Sequence, residues 1–260
     1  MTVPIATSPG RSGFGPQLSL SYDSGSGNGP FGIAWSLSLK SITRRTDGMP
    51  RYHDAEESDV FILSGAEDLV PVFKRAPGGL MVRDQKGDPV FDEEERDGFL
   101  IRQYRPRIEG LFARIERWTR LADGDAHWRS ISKDNVLTVY GSSPESRIMD
   151  PDNPSHVFSW LICQTYDDKG NAIVYSYAAE NADNVDLSLV NERSRVRSAN
   201  RYLKGIQYGN RQPLLIETDR KAARIRHVRS VDQRLDLDQQ RSRSLLRRQH
   251  ARSGHLSLVM

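Results

Sequence analysis

Two acidic runs are the densest concentrations of ionisable side chains in this sequence. "YHDAEESDV" gathers Asp54, Glu56, Glu57 and Asp59, and "DEEERD" gathers Asp92, Glu93, Glu94, Glu95 and Asp97. Paired carboxylates do acid–base work only where unequal surroundings pull their pKa values apart. Runs this dense, flanked by polar residues, read as solvated loops instead. The six histidines are His53, His127, His156, His227, His250 and His255, and no two stand four apart as in a His-Glu-x-x-His zinc helix. Cys163, the one cysteine, lies in the apolar run "FSWLICQTY" and reads as a small buried hydrophobe. A lone cysteine excludes an internal disulfide framework and a cysteine-based metal site. "DSGSGNG" and "DDKGN" lack the regular spacing of oxygen ligands in a calcium loop. Neither a phosphate-cradling glycine loop nor a G-x-S-x-G nucleophile elbow is present. The expectation is therefore not an enzyme, with no catalytic, cofactor-binding or metal-binding residue.

The elements around these residues explain why chemistry is sparse. At 260 residues, with 37% hydrophobic and 27% charged residues, the chain can bury a core as one large or two small domains. No apolar run approaches roughly eighteen residues, so no transmembrane segment is expected. "MTVPIATSPGR" lacks the charged and apolar regions of a Sec-type signal peptide.

Gln17 to Tyr22 alternates, with Leu18, Leu20 and Tyr22 on one face, and Ile33 to Leu39 does the same with Ile33, Trp35, Leu37 and Leu39. Period two is the signal of a half-buried strand, and the glycine-rich loop between the runs predicts one long hairpin. "DVFILSG", "LVPVF" and "FLIRQYRPRIEG" are further β runs. "FARIERWTRL" suits either a turn of helix or a strand with a bulge. "HWRSISKDNVLTVYG" predicts a hairpin turning at "SKDN", and "HVFSWLICQTYDDKGNAIVYSYAAEN" predicts two strands joined at "DDKGN". Turn signals recur about every ten residues, the rhythm of an all-β sandwich, barrel or sheet array. "YDDKGNAIVYSY" is weakly echoed by "YLKGIQYGN", without a fixed period.

Charge divides the chain. From Arg220 to Met260 there are ten Arg and one Lys against three Asp, a net of +8, whereas the whole chain carries +3. Residues 1–219 therefore carry −5. The body has the wrong sign for nucleic acid, and its arginines alternate with carboxylates, as in "RIERWTR".

"VPIATSPGRSGFGPQLSLSYDSGSGNGPFGIAWSLSL" resembles the SpvB-type amino-terminal region of bacterial toxin proteins. That family includes the Salmonella virulence plasmid B protein and the B components of insecticidal Tc toxin complexes. "ITRRTDGMPRYHDAEESDVFILSGAEDLVPV", "WLICQTYDDKGNAIVYSYAAEN" and "RYLKGIQYGNRQPLL" are similar to it in the same order, so the resemblance covers about residues 2 to 215. It implies a mostly β fold of antiparallel hairpins and meanders within an RHS/YD-like shell. The implied role is a structural shell fragment that helps encapsulate and deliver a toxic effector. Implied partners are the remaining B-component shell and its propeller, an RHS-type C component and a pore-forming A component. The implied location is extracellular, as part of a toxin complex made in the bacterial cytoplasm and secreted without a Sec signal peptide. Relative to the family the chain reads as incomplete at both ends, which predicts uncovered strand edges and apolar faces.

Two alternatives stay open. One is a truncated delivery module of an ADP-ribosylating toxin without its catalytic domain, since the sequence has no Ser-Thr-Ser to stand with a Glu-x-Glu as in that domain's signature. The other is a secreted β module binding a glycan or host surface through Trp35, Trp118, Trp128 or Trp160. The expected domains are a β body over residues 1–219 and an Arg-rich tail over 220–260. Tyr208 is the last of the 21 aromatic residues. The tail reads either as a basic helix, with Ile225, Val228, Val231 and Leu235 at helical spacing, or as irregular sequence from a shifted reading frame.

Overall fold

The computed structural model describes residues 1–45, 50–52, 59–64, 68–108, 110, 112–182, 185–193, 196–214 and 231–236. The first strands are β1 (Thr2–Ile5), β2 (Leu18–Tyr22), β3 (Asn28–Gly29), β4 (Gly32–Ile33) and β5 (Trp35–Leu37). In place of one long hairpin they form a three-stranded sheet in the order β1-β2-β5, with β3 and β4 as a separate two-stranded ribbon. The expected strand from Ile33 to Leu39 is split because Ala34 takes a positive φ of 66°. That leaves Ile33 75% exposed, outside the alternation that predicted it inward.

Next come β6 (Ser41–Arg44), β7 (Phe61–Leu63), β8 (Asp68–Pro71), β9 (Glu93–Arg96), β10 (Phe99–Pro106), β11 (Arg114–Arg120), β12 (Ala126–Ile131), β13 (Leu137–Tyr140), β14 (Arg147–Met149) and β15 (Val157–Tyr166). Neighbours pair in the order β13-β12-β11-β10-β8-β7-β6-β15, and β13 also pairs with β15, closing an eight-stranded antiparallel barrel. "FARIERWTRL" is settled as a strand: β11 pairs without a bulge to β10 and to β12. The "SKDN" turn forms as expected, with Ser132 Oγ accepting from the Val136 N–H at 3.2 Å and Asn135 at φ 57°.

β15 is the seam. Ser159, Trp160 and Leu161 pair with β6, while Ile162, Gln164, Thr165 and Tyr166 pair with β13. Where β13 gives way to β14, Gly141 keeps the ladder by donating its N–H to Leu161 O at 2.9 Å. It does so at φ +62°, and a Cβ there would lie 2.3 Å from Trp160 Cδ1. Trp160 crosses the seam and donates Nε1–H to Ala126 O of β12 at 2.8 Å.

Between β8 and β9 the chain makes a small knob that the periodicity did not show. Lys74 N–H donates to Val90 O, Val90 N–H to Val82 O, and Val82 N–H to Lys74 O, closing a ring of three extended segments. Two turns eight residues apart repeat one device, with Arg75 donating to Gly79 O and Arg83 to Gly87 O.

The barrel sheet continues from β15 into β16 (Ala172–Ala179), then, past the short helix α1 (Val190–Arg193), into β17 (Arg201–Asn210) and β18 (Val231–Asp236). β18 corrects the helical reading of the tail at Val231, which pairs with Asn210, and Leu235, which pairs with Ile206, both as strand residues. Ile225, Val228 and residues 237–260 lie outside the described residues. Ile173, Ile206 and Tyr208 of the β16–β17 face bury Leu18, with Ile5, Phe14 and Leu37 packed around them, so the three-stranded sheet is seated on this extension.

Gly141→Ala is expected to cost about 2–4 kcal/mol, combining left-handed backbone strain with overpacking against Trp160. Gly98→Ala, at φ +79° with nothing near its would-be Cβ, is expected to cost only about 1–2 kcal/mol. Urea denaturation of both variants checks the difference.

Candidate functional site

A closed barrel invites the question of whether its lumen is a channel or a pocket. Side chains fill it. Ile42, Phe61, Leu63, Leu69, Tyr104, Ile115, Trp128, Tyr140, Val157, Trp160 and Ile162 form one buried cluster drawn from all eight strands. Phe61, Tyr104, Trp128 and Trp160 meet edge to face, with Phe61 and Tyr104 each 4.9 Å from the Trp128 ring centroid. Such offsets suit the ring quadrupoles, and filling is the usual state of an eight-stranded barrel. At one end Arg44, buried at 2% exposure, donates Nε–H to Val157 O at 2.8 Å and pairs with Asp59 at 3.0 Å. Its guanidinium also lies over the Tyr52, Phe61 and Trp160 rings.

Of the acidic runs read as solvated loops, the second is corrected: Glu93–Arg96 is strand β9, paired to β10. Asp59 holds Arg44 and accepts from the Arg51 and Tyr52 N–H groups. Asp54, Glu56 and Glu57 lie outside the described residues. Glu93 pairs with Arg102 at 2.9 Å, and Glu94 with Arg96 at 3.3 Å. The turn aspartates are likewise engaged: Asp167 accepts from the Lys169 and Asn171 N–H groups, and Asp23 from the Gly25 N–H. Among the described residues no group of three or more His, Cys, Asp or Glu is placed to hold a metal ion. Cys163 is buried and donates its S–H to Val139 O at 3.3 Å.

The densest polar and aromatic constellation lies on the outer wall, where sequence reading had singled out nothing beyond Trp118 and His127. Alternation along β11 sends Ile115 into the lumen and Glu116 and Trp118 outward. Cross-strand register then sets Ile101, Trp118 and His127 in one row, and Gln103, Glu116 and Arg129 in the next. The Arg129 and Arg96 guanidiniums lie over the Trp118 ring, 3.6 and 5.0 Å from its centroid. Trp118 Nε1–H donates to Glu116 Oε2 at 2.9 Å, and Arg114 closes on the other oxygen of that carboxylate. Arg129 Nε–H donates to His127 Nε2 at 3.1 Å, which puts the imidazole proton on Nδ1. Burial, reinforced by Arg129 and Arg147, pushes His127 down to about 3, and burial lowers Arg129 to about 10. Hydrogen bonds and ion pairs tie Trp118, Glu116, Arg114, Arg129 and His127 into one network that braces the wall.

Three of the four tryptophans offered for glycan binding are thereby corrected. Trp118, Trp128 and Trp160 are 6%, 0% and 1% exposed, because each supplies a flat apolar surface to the wall or its core. Trp35 alone is half-buried, in edge contact with Tyr22.

Residues 1–239 match the family described as Salmonella virulence plasmid 65kDa B protein. The mono(ADP-ribosyl)transferase SpvB of Salmonella typhimurium is 40% identical over 216 residues, covering 82% of this chain and 35% of that protein. SpvB of Salmonella dublin is 40% identical over the same length, and the chain again spans 35% of it. Among solved structures, the N-terminal domain of effector protein SpvB from Salmonella typhimurium strain LT2 superposes with a TM-score of 0.66 at 37% identity, over 82% of this chain and 65% of that one. The TcdB2-TccC3 crystal structure gives 0.67 at 30% identity, over 82% of this chain and 10% of that one. The Photorhabdus luminescens Tc holotoxin pore gives 0.65 at 30% identity, over 85% and 10%.

The depressed His127 pKa has a defined sign. The unfolded imidazole takes up a proton near its ordinary 6.5, while the folded one stays neutral down to about 3. Its contribution is fully present above pH 6.5 and is lost as pH falls toward 3. From pH 7 to pH 4, wild type should lose roughly 3 kcal/mol more than His127→Gln loses over the same interval, read from denaturant midpoints at each pH.

Proposed function

We propose that this chain, which belongs to the Salmonella virulence plasmid 65kDa B protein (SpvB) family, is a non-enzymatic wall element of a bacterial toxin complex that helps enclose and deliver an effector. One observation carries the reading. The chain folds as a closed, side-chain-filled barrel similar to a tenth of the much longer TcdB2-TccC3 chain. A filled barrel cannot pass a polypeptide, so its use in such a complex is to be wall. Ladder hydrogen bonds satisfy the backbone polar groups of the ring and leave it no strand edge. The partners are the remainder of a B-component shell with its propeller, an RHS-type C component and a pore-forming A component. The complex acts outside the bacterium that makes it.

A second reading has its own support. The curated relatives are named mono(ADP-ribosyl)transferases, and this chain spans 35% of them. On that reading it is the delivery part of an ADP-ribosylating toxin.

The chain is expected to be retained by an affinity-tagged RHS-type C component and to transfer no label from NAD to actin. Co-purification from mixed lysates reads the first, and incubation with labelled NAD and actin reads the second. Failure of retention sinks the shell reading; labelled actin sinks the non-enzymatic one.

A further inference from the structure

The outer-wall stack leaves two cations only partly used. Arg96 of β9 and Arg129 of β12 both lie over the Trp118 ring, and Phe99 meets that ring edge to face at 5.7 Å. A guanidinium carries five N–H donors. Arg129 spends its Nε–H on His127 Nε2, and among the described residues neither of its Nη groups has a hydrogen-bond or ion-pair partner. Arg96 reaches Glu94 Oε1 at 3.3 Å, and its buried Nε–H has no acceptor among the described residues. Glu116, which stands opposite Arg129 in the strand register, is taken by Arg114 and by the Trp118 Nε1–H. Two like charges thus share one indole, with donors to spare.

We propose that the Arg96–Arg129 pair binds a carboxylate presented by an acidic segment of a protein partner. Three observations select that ligand. The spare N–H groups belong to planar forks, whose geometry matches the two oxygens of a carboxylate. Second, the charges around Trp118 do not balance: Arg96, Arg114 and Arg129 stand against Glu94 and Glu116, while His127 stays neutral. The excess is a single positive charge, which one carboxylate cancels. A phosphate group, with close to two negative charges, would overshoot it and meet Glu94 and Glu116. The same field acts on His127, where Arg129, Arg147 and Arg120 oppose Asp125 alone. Third, the indole and the paired strands already hold both guanidiniums in place, so binding costs little side-chain entropy. The site lies on the outer face of the wall, where a free small acid buries little surface and a peptide can span both arginines. This inference rests on the stack alone and is independent of the shell reading.

Phenylglyoxal footprinting of the full 260-residue chain, read arginine by arginine by peptide mass spectrometry, tests it. Arg96 and Arg129 should be labelled in the free chain. Arg147, 4% exposed with both Nη groups on Asp125, should be spared. Acetylated hexaglutamate is expected to slow labelling of Arg96 and Arg129 roughly tenfold at saturation, while exposed Arg75 and Arg83 stay reactive. In Arg96→Gln, the peptide concentration that half-protects Arg129 should rise roughly tenfold, with a melting temperature close to wild type. Reading each site separately keeps the arginines of the tail out of the result. The proposal is overturned if Arg129 resists labelling in the free chain, or if hexaglutamate protects neither arginine. Equal protection of Arg75 and Arg83 overturns it too, as diffuse attraction. So does protection by inorganic phosphate or free glutarate at lower concentration than the peptide, which would make the site one for phosphate or for a small acid.

Discussion

Closure of the hydrogen-bond ring at β15 is the constraint on which the rest of the structure depends. A sheet of short strands has two edges, and each edge is a row of unpaired donors and acceptors. β15 removes both by pairing at one end with β6 and at the other with β13. The cost is local. Where β13 yields to β14, the chain must pass close to the Trp160 ring, and only glycine fits at position 141. Trp160 then fastens the seam to β12 and stands in the aromatic cluster that fills the lumen. One side chain thus couples backbone closure to core packing.

The barrel also buries cations, which is expensive unless each is matched. Arg147, 4% exposed, donates Nε–H to Gly141 O and pairs with Asp125. That contact holds the turn between β11 and β12 against the seam. Asp125 stays below the usual carboxylate range because the hydrogen bond and charge of Arg147, with Arg120, outweigh the opposing effect of burial. Arg44 with Asp59 does the same at the lumen. On the outer wall, Arg96 and Arg129 cover Trp118 with cationic faces, protecting a large apolar ring while keeping the surface polar. The arginines that alternate with carboxylates in sequence are the mortar of the wall.

In the closed barrel the backbone polar groups of the ring are satisfied by ladder hydrogen bonds between neighbouring strands. Among the described residues, Asp59, Glu93, Glu94, Asp167 and Asp23 are engaged in turns and ion pairs that fix the geometry of the strands. Among the described residues, large apolar side chains are exposed at Val3 and Tyr22 of the β1-β2-β5 sheet, at Ile33, Leu80, Ile108 and Phe112, and along Leu187, Leu189 and Val190. Binding through such surfaces is compatible with an interior closed to solvent and to chain.

Much of this was legible in the residues themselves. Alternation located β2, β-rich runs and hairpin patterns marked β7, β8, β10, β12, β13, β15 and β16, and a weak echo fell on β17. "SKDN" and "DDKGN" marked their turns, because Asp, Asn and Gly carry the local hydrogen bonds and positive φ that turns require. The apolar context of Cys163 foretold its burial. Missed were β1, the break at Ala34, the ring of Lys74, Val82 and Val90, and the Trp118 stack. None of these has a local signature: a positive φ at alanine is imposed by its surroundings, and the stack unites β9, β11 and β12, which are separated along the chain. The sequence by itself determined most of the strands and most of their inward and outward faces, since period-two patterning is local. Only the tertiary structure decided that the sheet closes into a barrel, that its lumen is full, and which side chains of the amino-terminal sheet pack on the β16–β17 face. Closure depends on register between strands as distant as β6 and β15, and that register is set by packing around Trp160.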